Sequence, residues 1–420
     1  MVTDSNIDAL FEKIKSHVER LHGIDSGSGS GSGSQDGENI EYALTINQNN
    51  SGPDSIITVD DPDENLPAAK SDNWMTLLGL KPCILRNGTV VSYLDINDYT
   101  KDTEGNTVDL SVLGDDVMLE IPRMGYKVEE TSNEVFKITI SNDITDESLD
   151  FSAFSLDDWG DCDKLYYGVY KGYVDNNALY SSYDKTPSGT HTLANFREYA
   201  KSRGTGYIDV SYAADEMLQL LYCLTVQNTN GQSAIGLGHI YAGNAQSNVK
   251  KTGGSEAYGP FMQLASSTAR TTNKGYHSKC LGIEDFWGNI SQFEDGLIKT
   301  ALSGSQVVLR AKCASDFNST GEGYVNVGTL TNVSSTHDMG HVKKMSMQQG
   351  CLFIPILGGG SNSTYYADYS YWGTGTVFTG FGGHCNNNLF AGPFYRYTDV
   401  ELSRSEWKAC SRLMYLHKED

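Results

Sequence analysis

LGIEDFWGNISQFEDG, residues 281–296, is the most informative segment of the 420-residue chain. Trp287-Gly288-Asn289 reads as a turn, and Phe286 and Phe293 flank it with apolar weight. Glu284, Asp285, Glu294 and Asp295 place two pairs of acids around it. Carboxylates in such pairs work as general acid and base, gather round calcium, or face water from a turn whose aromatics pin loops to a core. The pattern favours the last of these.

The second informative stretch is FGGHCNNNLFAGPFYRYTDVELSRSEWKACSRLMYL, residues 381–416. Interior-type residues (Phe381, Leu389, Phe394, Leu413, Tyr415) alternate with small turn formers. Among them stand His384, Asn386, Asn387, Asn388, Phe390, Arg396, Tyr397, Thr398, Asp399, Arg404, Glu406, Trp407 and Lys408. Aromatic anchors mixed with adaptable polar groups are the composition of a ligand-binding surface. STYYADYSYWGTG (363–375) adds Tyr365, Tyr366, Tyr369, Tyr371 and Trp372. Strand alternation sends one set of these inward, and the outward set is expected to border the 384–408 surface.

Further upstream the chain divides by composition. Residues 1–25 read as one helix, capped by Asp4 or Ser5, with Ile7, Ile14 and Leu21 on a seven-residue repeat and Leu10 between them. A helix cut off by SGSGSGSGS (26–34) has no nearby core, so an oligomerising coil is expected, a helix docked on its own chain being the alternative. Residues 26–70 read as a flexible Gly/Ser and acidic linker, and 71–145 as a small β-rich connector with a hairpin at Asn87-Gly88. Within it DDVMLEIP and EVFKITIS read as alternating strands. Residues 146–420 form the expected large domain, with helices at 193–204 and 213–228; on the second, Met217, Leu220, Leu221 and Leu224 share one face. Few helices among many short strands predict α+β.

Charge and cysteine usage exclude other classes. A net charge of −22 repels phosphate backbones and anionic lipid, so neither nucleic acid nor a membrane surface is an expected partner. No apolar run is long enough for membrane insertion, and the acidic N-terminus lacks the apolar core of a secretory signal. Eight isolated cysteines, with no CxxC, suit a reducing cytoplasm. HDMGH (337–341) has two histidines four apart but no central glutamate and a glycine that disfavours a helix, so no metal or other cofactor is expected.

Several segments carry a family resemblance, two of them most specifically. GIEDFWGNISQFEDG resembles the G-(V/L)-x-D-(L/M)-x-GN-V-WEW-x-DG segment of C-type-lectin-like folds, with Ile-Ser-Gln-Phe where that pattern has Val-Trp-Glu-Trp. Formylglycine-generating-type proteins, variable proteins of diversity-generating retroelements and phage tail-fibre receptor-binding domains share that segment. The C-terminal stretch is similar to the end of the retroelement-diversified proteins through Gly382-Gly383, Ala391-Gly392, Phe394-Tyr395, Ser403 and Ser411-Arg412-Leu413. DKLYYGVYKGYV (163–174), QSAIGLGHI (232–240) and KPCILRNGTVVSYLDINDYT (81–100) resemble phage tail-fibre proteins of gut bacteria. In the resembled family adenine-templated codons diversify surface positions. His384, Tyr397, Thr398 and Asp399 hold residues reachable from asparagine codons, and Asn386–Asn388 are template-like.

The resemblance implies a C-type-lectin-like domain over 146–420 and a function in binding rather than turnover. The expected protein is a receptor-binding adhesin of a phage tail fibre, made in the host cytoplasm and carried on the virion tail. It is expected to be a homotrimer joined to other tail proteins through its N-terminus, with a bacterial surface glycan or protein as receptor. The expected ligand-binding residues are His384, Asn386, Asn388, Phe390, Arg396, Tyr397, Thr398, Asp399, Arg404, Glu406, Trp407 and Lys408. The alternatives are a diversified protein displayed by a bacterium and a formylglycine-generating-type enzyme. That enzyme needs a closely spaced cysteine pair, whereas Cys385 and Cys410 stand 25 residues apart.

Overall fold

Asn87 and Gly88 both take left-handed backbone angles (φ 50° and 77°) and turn the chain between the strands Lys81–Arg86 and Thr89–Tyr93, the hairpin their sequence predicts. That hairpin is one edge of a six-stranded antiparallel sheet. The order from the edge is Thr89–Tyr93, Lys81–Arg86, Asp116–Pro122, Lys164–Gly168, Leu413–His417 and Tyr207–Asp209. Asp116–Pro122 does not alternate: six of its seven residues are buried, because it lies inside the sheet with both faces covered.

The computed structural model describes residues 40–262, 276–302, 305–330, 337–373, 375–401 and 403–419. The expected N-terminal helix and the Gly/Ser run lie outside them. Residues 40–420 constitute one unit. The boundary expected at 145/146 does not divide it, since strands from 81–122 and from 164–417 are neighbours in the same sheet.

The linker expected to reach residue 70 is also corrected. Glu41–Asn47 and Ile57–Asp60 are strands, paired with each other, and Glu41–Asn47 pairs along its whole length with Val135–Ser141. Gly125–Ser132 completes this four-stranded sheet. EYALTIN alternates, and its inward Leu44 and Ile46 are completely buried.

A third sheet orders Val325–Leu330, Ser305–Arg310, Ser291–Leu302, Val377–Phe381 and Arg396–Glu401. Ala409–Cys410 adds a short parallel pairing to Ser291 and Gln292. Beside it Asp338–Met345 pairs with Pro355–Gly358 and with Tyr369–Tyr371.

Among the described residues four α-helices interrupt the strands: α1 (Asn73–Leu77), α2 (Leu193–Lys201), α3 (Tyr212–Val226) and α4 (Gly231–Ala234). Thr192 and Asn195 form a capping box on α2, and Ser211 caps α3 by accepting from the Ala214 N–H at 3.1 Å. The apolar stripe expected on α3 is one part of a helix buried all round. Every residue but Ala213 is inside, Asp215, Glu216 and Gln219 included. The fold is therefore α+β, with antiparallel sheets and loops packed around one central helix that carries polar groups into the core.

All eight cysteines are buried and free. Burial pushes the Cys410 thiol up to about 11 and those of Cys162 and Cys351 up to about 12. A thiol reagent such as DTNB is expected to leave the native protein unlabelled, and to titrate all eight thiols once denaturant opens the fold. Fast labelling of the native state would contradict this packing.

Candidate functional site

The central helix supplies the floor beneath the candidate surface. Arg396 is completely buried and grips Glu294 through two bonds, Nη2 to Oε1 at 2.6 Å and Nε to Oε2 at 3.0 Å. It also donates to Gln219 Oε1 (2.9 Å) on α3 and to the Phe353 carbonyl (2.8 Å). Arg412 spends five N–H bonds: on Gln292 Oε1 and on the carbonyls of Gly168, Val169, Glu284 and Asp285, at 2.7–3.2 Å. The acids of 281–296 thus part company. Glu294 serves Arg396, Asp295 serves Arg197 at 2.7 Å, and Glu284 with Asp285 faces His277.

Three expected ligand-binding residues are therefore interior. Arg396 has no exposure, Thr398 none, and Tyr397 only 7%. Their strand, Arg396–Glu401, lies between Val377–Phe381 and the 369–372 segment. Gly380 sits opposite Tyr397, and a Cβ there would overlap the Tyr397 ring, so the missing side chain is what lets the tyrosine turn inward. Thr398 is bridged to Trp372 and donates to the Tyr371 carbonyl at 3.3 Å.

The remaining residues fall into two groups. In the first, Phe390 belongs to a row of half-buried rings. It stacks on Tyr369 with centroids 4.1 Å apart and planes 20° from parallel, Tyr369 meets Tyr371 at 5.3 Å, and Tyr371 meets His337 at 5.6 Å. His341 stands edge-on to both Tyr369 (5.2 Å) and Phe390 (5.6 Å). Carboxylates border the row: Asp399 accepts or shares a proton with His337 Nε2 at 2.9 Å, and Asp338 accepts from the Tyr369 hydroxyl. Asn388, exposed at the adjoining turn, donates its backbone N–H to the Ile240 carbonyl at 2.9 Å. Burial first, and then the neighbouring acids, raise the Tyr369 and Tyr371 hydroxyls, so both stay neutral donors.

The second group is His384, Asn386, Arg404, Glu406, Trp407 and Lys408. His384 stands edge-on to Trp407 at 5.9 Å, and Lys408 Nζ lies 5.8 Å from the same ring. Burial, helped by the Lys408 charge, lowers His384 to about 4, so its imidazole is neutral near pH 7. Asn386 donates its backbone N–H to His384 Nδ1 at 3.3 Å, and Arg404 pairs with Glu406 at 3.1 Å. The His384 N–H bonds Asn387 Oδ1 (2.6 Å), and Asn387 reaches the buried Tyr395 hydroxyl (3.4 Å), whose ring packs on Tyr397.

The expected alternation of the tyrosine cluster is observed: Tyr366 and Trp372 are inside, while Tyr365, Tyr369 and Tyr371 are half-buried. His337, His341 and Asp338 were not among the expected site residues. HDMGH reads as a failed zinc helix, but it begins the strand Asp338–Met345, whose bulge at Asp338–Gly340 leaves both histidines against the aromatic row.

Buried acids give the fold a pH signature. Burial raises Asp215, Glu216 and Glu284 to about 7 and Asp116 to about 6, and it raises Asp209 and Asp368 well above the usual carboxyl value. A carboxyl raised on folding stabilises in its protonated form, and that contribution is lost as pH climbs from about 4 towards about 7. His191, His239 and His384, lowered by burial, act oppositely, but their contribution is complete by about pH 6.5. The melting temperature is therefore expected to be lower at about pH 7.5 than at about pH 6, and a rise over that interval would contradict it.

Compared with protein-family models and with curated proteins, the sequence matches none.

Proposed function

We propose that the chain is a ligand-binding protein of the adhesin type, with a C-type-lectin-like arrangement over its C-terminal part, and that it takes a bacterial surface receptor on the aromatic row. The observation that carries this reading is the continuous set of half-buried rings Phe390, Tyr369 and Tyr371, continued by the exposed His337 and bordered by Asp338 and Asp399. Rings of this kind offer large contact area at small entropic cost, and their hydroxyl and carboxylate rims give direction. The row stands on strands whose other residues, Ser370 and Trp372, are buried, so it is presented rigidly. Display on a phage tail fibre as an oligomer, with weak single contacts multiplied by avidity, completes the reading.

The test is binding of the purified protein to a panel of intact gut bacteria, beside a Tyr369→Ala/Phe390→Ala variant. Truncating two central rings is expected to weaken strain-selective binding by about 30-fold or more, with the fold retained by circular dichroism. Equal binding by both proteins would move the receptor site to the Trp407 group. No binding to any strain would remove the adhesin reading.

A further inference from the structure

At the 281–296 turn three ionisable side chains converge. His277 Nδ1 lies 2.9 Å from Asp285 Oδ2 and 3.6 Å from Glu284 Oε1, and the ligating atoms of these three residues all fall within 4.8 Å of one another. The hairpin Lys279–Cys280/Ile283–Glu284 sets their spacing, and Arg412 clamps the carbonyls of Glu284 and Asp285. Glu284 is aimed by the Gly253 N–H (2.8 Å) and the Ser255 hydroxyl (2.6 Å), and Asp285 by Asn289 Nδ2 (2.8 Å).

A simple ion pair leaves this cluster incomplete. Asp285 is 1% exposed, yet its Oδ1 has no hydrogen-bond partner. His239 is 4% exposed and interacts electrostatically with both Asp285 and His277. Its Nε2 lies 2.7 Å from the Asn248 carbonyl, which fixes the proton there and leaves Nδ1 a bare lone pair, also without a partner. An unpartnered carboxylate oxygen beside a histidine and a second carboxylate, in a closed interior, calls for a cation.

We propose that His277, Glu284 and Asp285 form a structural site for a divalent first-row transition ion, zinc binding most tightly among those commonly available. Imidazole and carboxylate donors without a thiolate suit zinc or manganese, and the imidazole argues against calcium.

The test uses the full chain, stripped with EDTA and desalted, then loaded separately with zinc, cobalt, manganese or calcium. The expected result is one zinc retained per chain after desalting, a higher melting temperature with zinc, and a visible cobalt spectrum of nitrogen–oxygen ligation. His277→Gln and Asp285→Asn are each expected to lower zinc affinity about tenfold or more, while His337→Ala/His341→Ala retains it. The proposal is overturned if the parent protein retains no zinc and gives no cobalt spectrum, a result that needs no variant to fold. It is overturned equally if the surface variant loses the ion, if both interior variants keep it, or if calcium alone binds.

Discussion

Arg396→Met is expected to destabilise the protein by about 3–5 kcal/mol, a large part of the 5–15 kcal/mol that holds a typical domain together. The loss comes from what remains behind. Glu294 is left without its cation in a site with no exposure, and Gln219 and the Phe353 carbonyl lose their donor. Removing both partners, as Arg396→Met/Glu294→Leu, is expected to recover most of the loss, because the cost lies in an unpaired buried charge rather than in a missing attraction. Urea midpoints of the parent, both single variants and the double variant check this. Additive losses in the double variant would mean that the pair is not energetically coupled.

The second large effect is at Arg412. Its guanidinium satisfies five acceptors, four of them backbone carbonyls from two separate segments. Arg412→Lys keeps the charge but offers three donors, so at least two buried acceptors go unpaired at about 1–3 kcal/mol each. The expected outcome is a chain that expresses poorly, or melts well below the parent, despite a substitution usually called conservative. A melting temperature within a degree or two of the parent would show that the fork geometry is dispensable.

These two arginines mark where the sequence could be read and where it could not. The Asn87-Gly88 hairpin and the inward and outward tyrosines of 365–372 were legible because turn chemistry and strand period act over a few residues. Ser411-Arg412-Leu413 was legible only through its resemblance, and Arg396, Tyr397 and Thr398 were misplaced. Polar residues near a C-terminus suggest a surface. What buries them is a partner far away in sequence: Glu294 for Arg396, Gly380 for Tyr397, Trp372 for Thr398. The same distance hid the strands at 41–60, whose partner is 135–141, and the role of His337 and His341, set by a bulge rather than by spacing. The acids of 281–296 are visible in the sequence, but no local rule assigns them to Arg396, Arg197 and His277.

The strand Leu413–His417 lies inside its sheet, between Lys164–Gly168 and Tyr207–Asp209, and it follows every other described strand in the chain. During synthesis Tyr207–Asp209 therefore lacks its pairing partner and Lys164–Gly168 stands as an open edge, until these five residues emerge from the ribosome. Assembly of the core must wait until synthesis has passed His417. A nascent chain stalled or cut before Arg412 would expose pairing edges and carry none of the clamp that closes them, which makes such fragments natural clients for chaperones and proteases rather than partly working proteins.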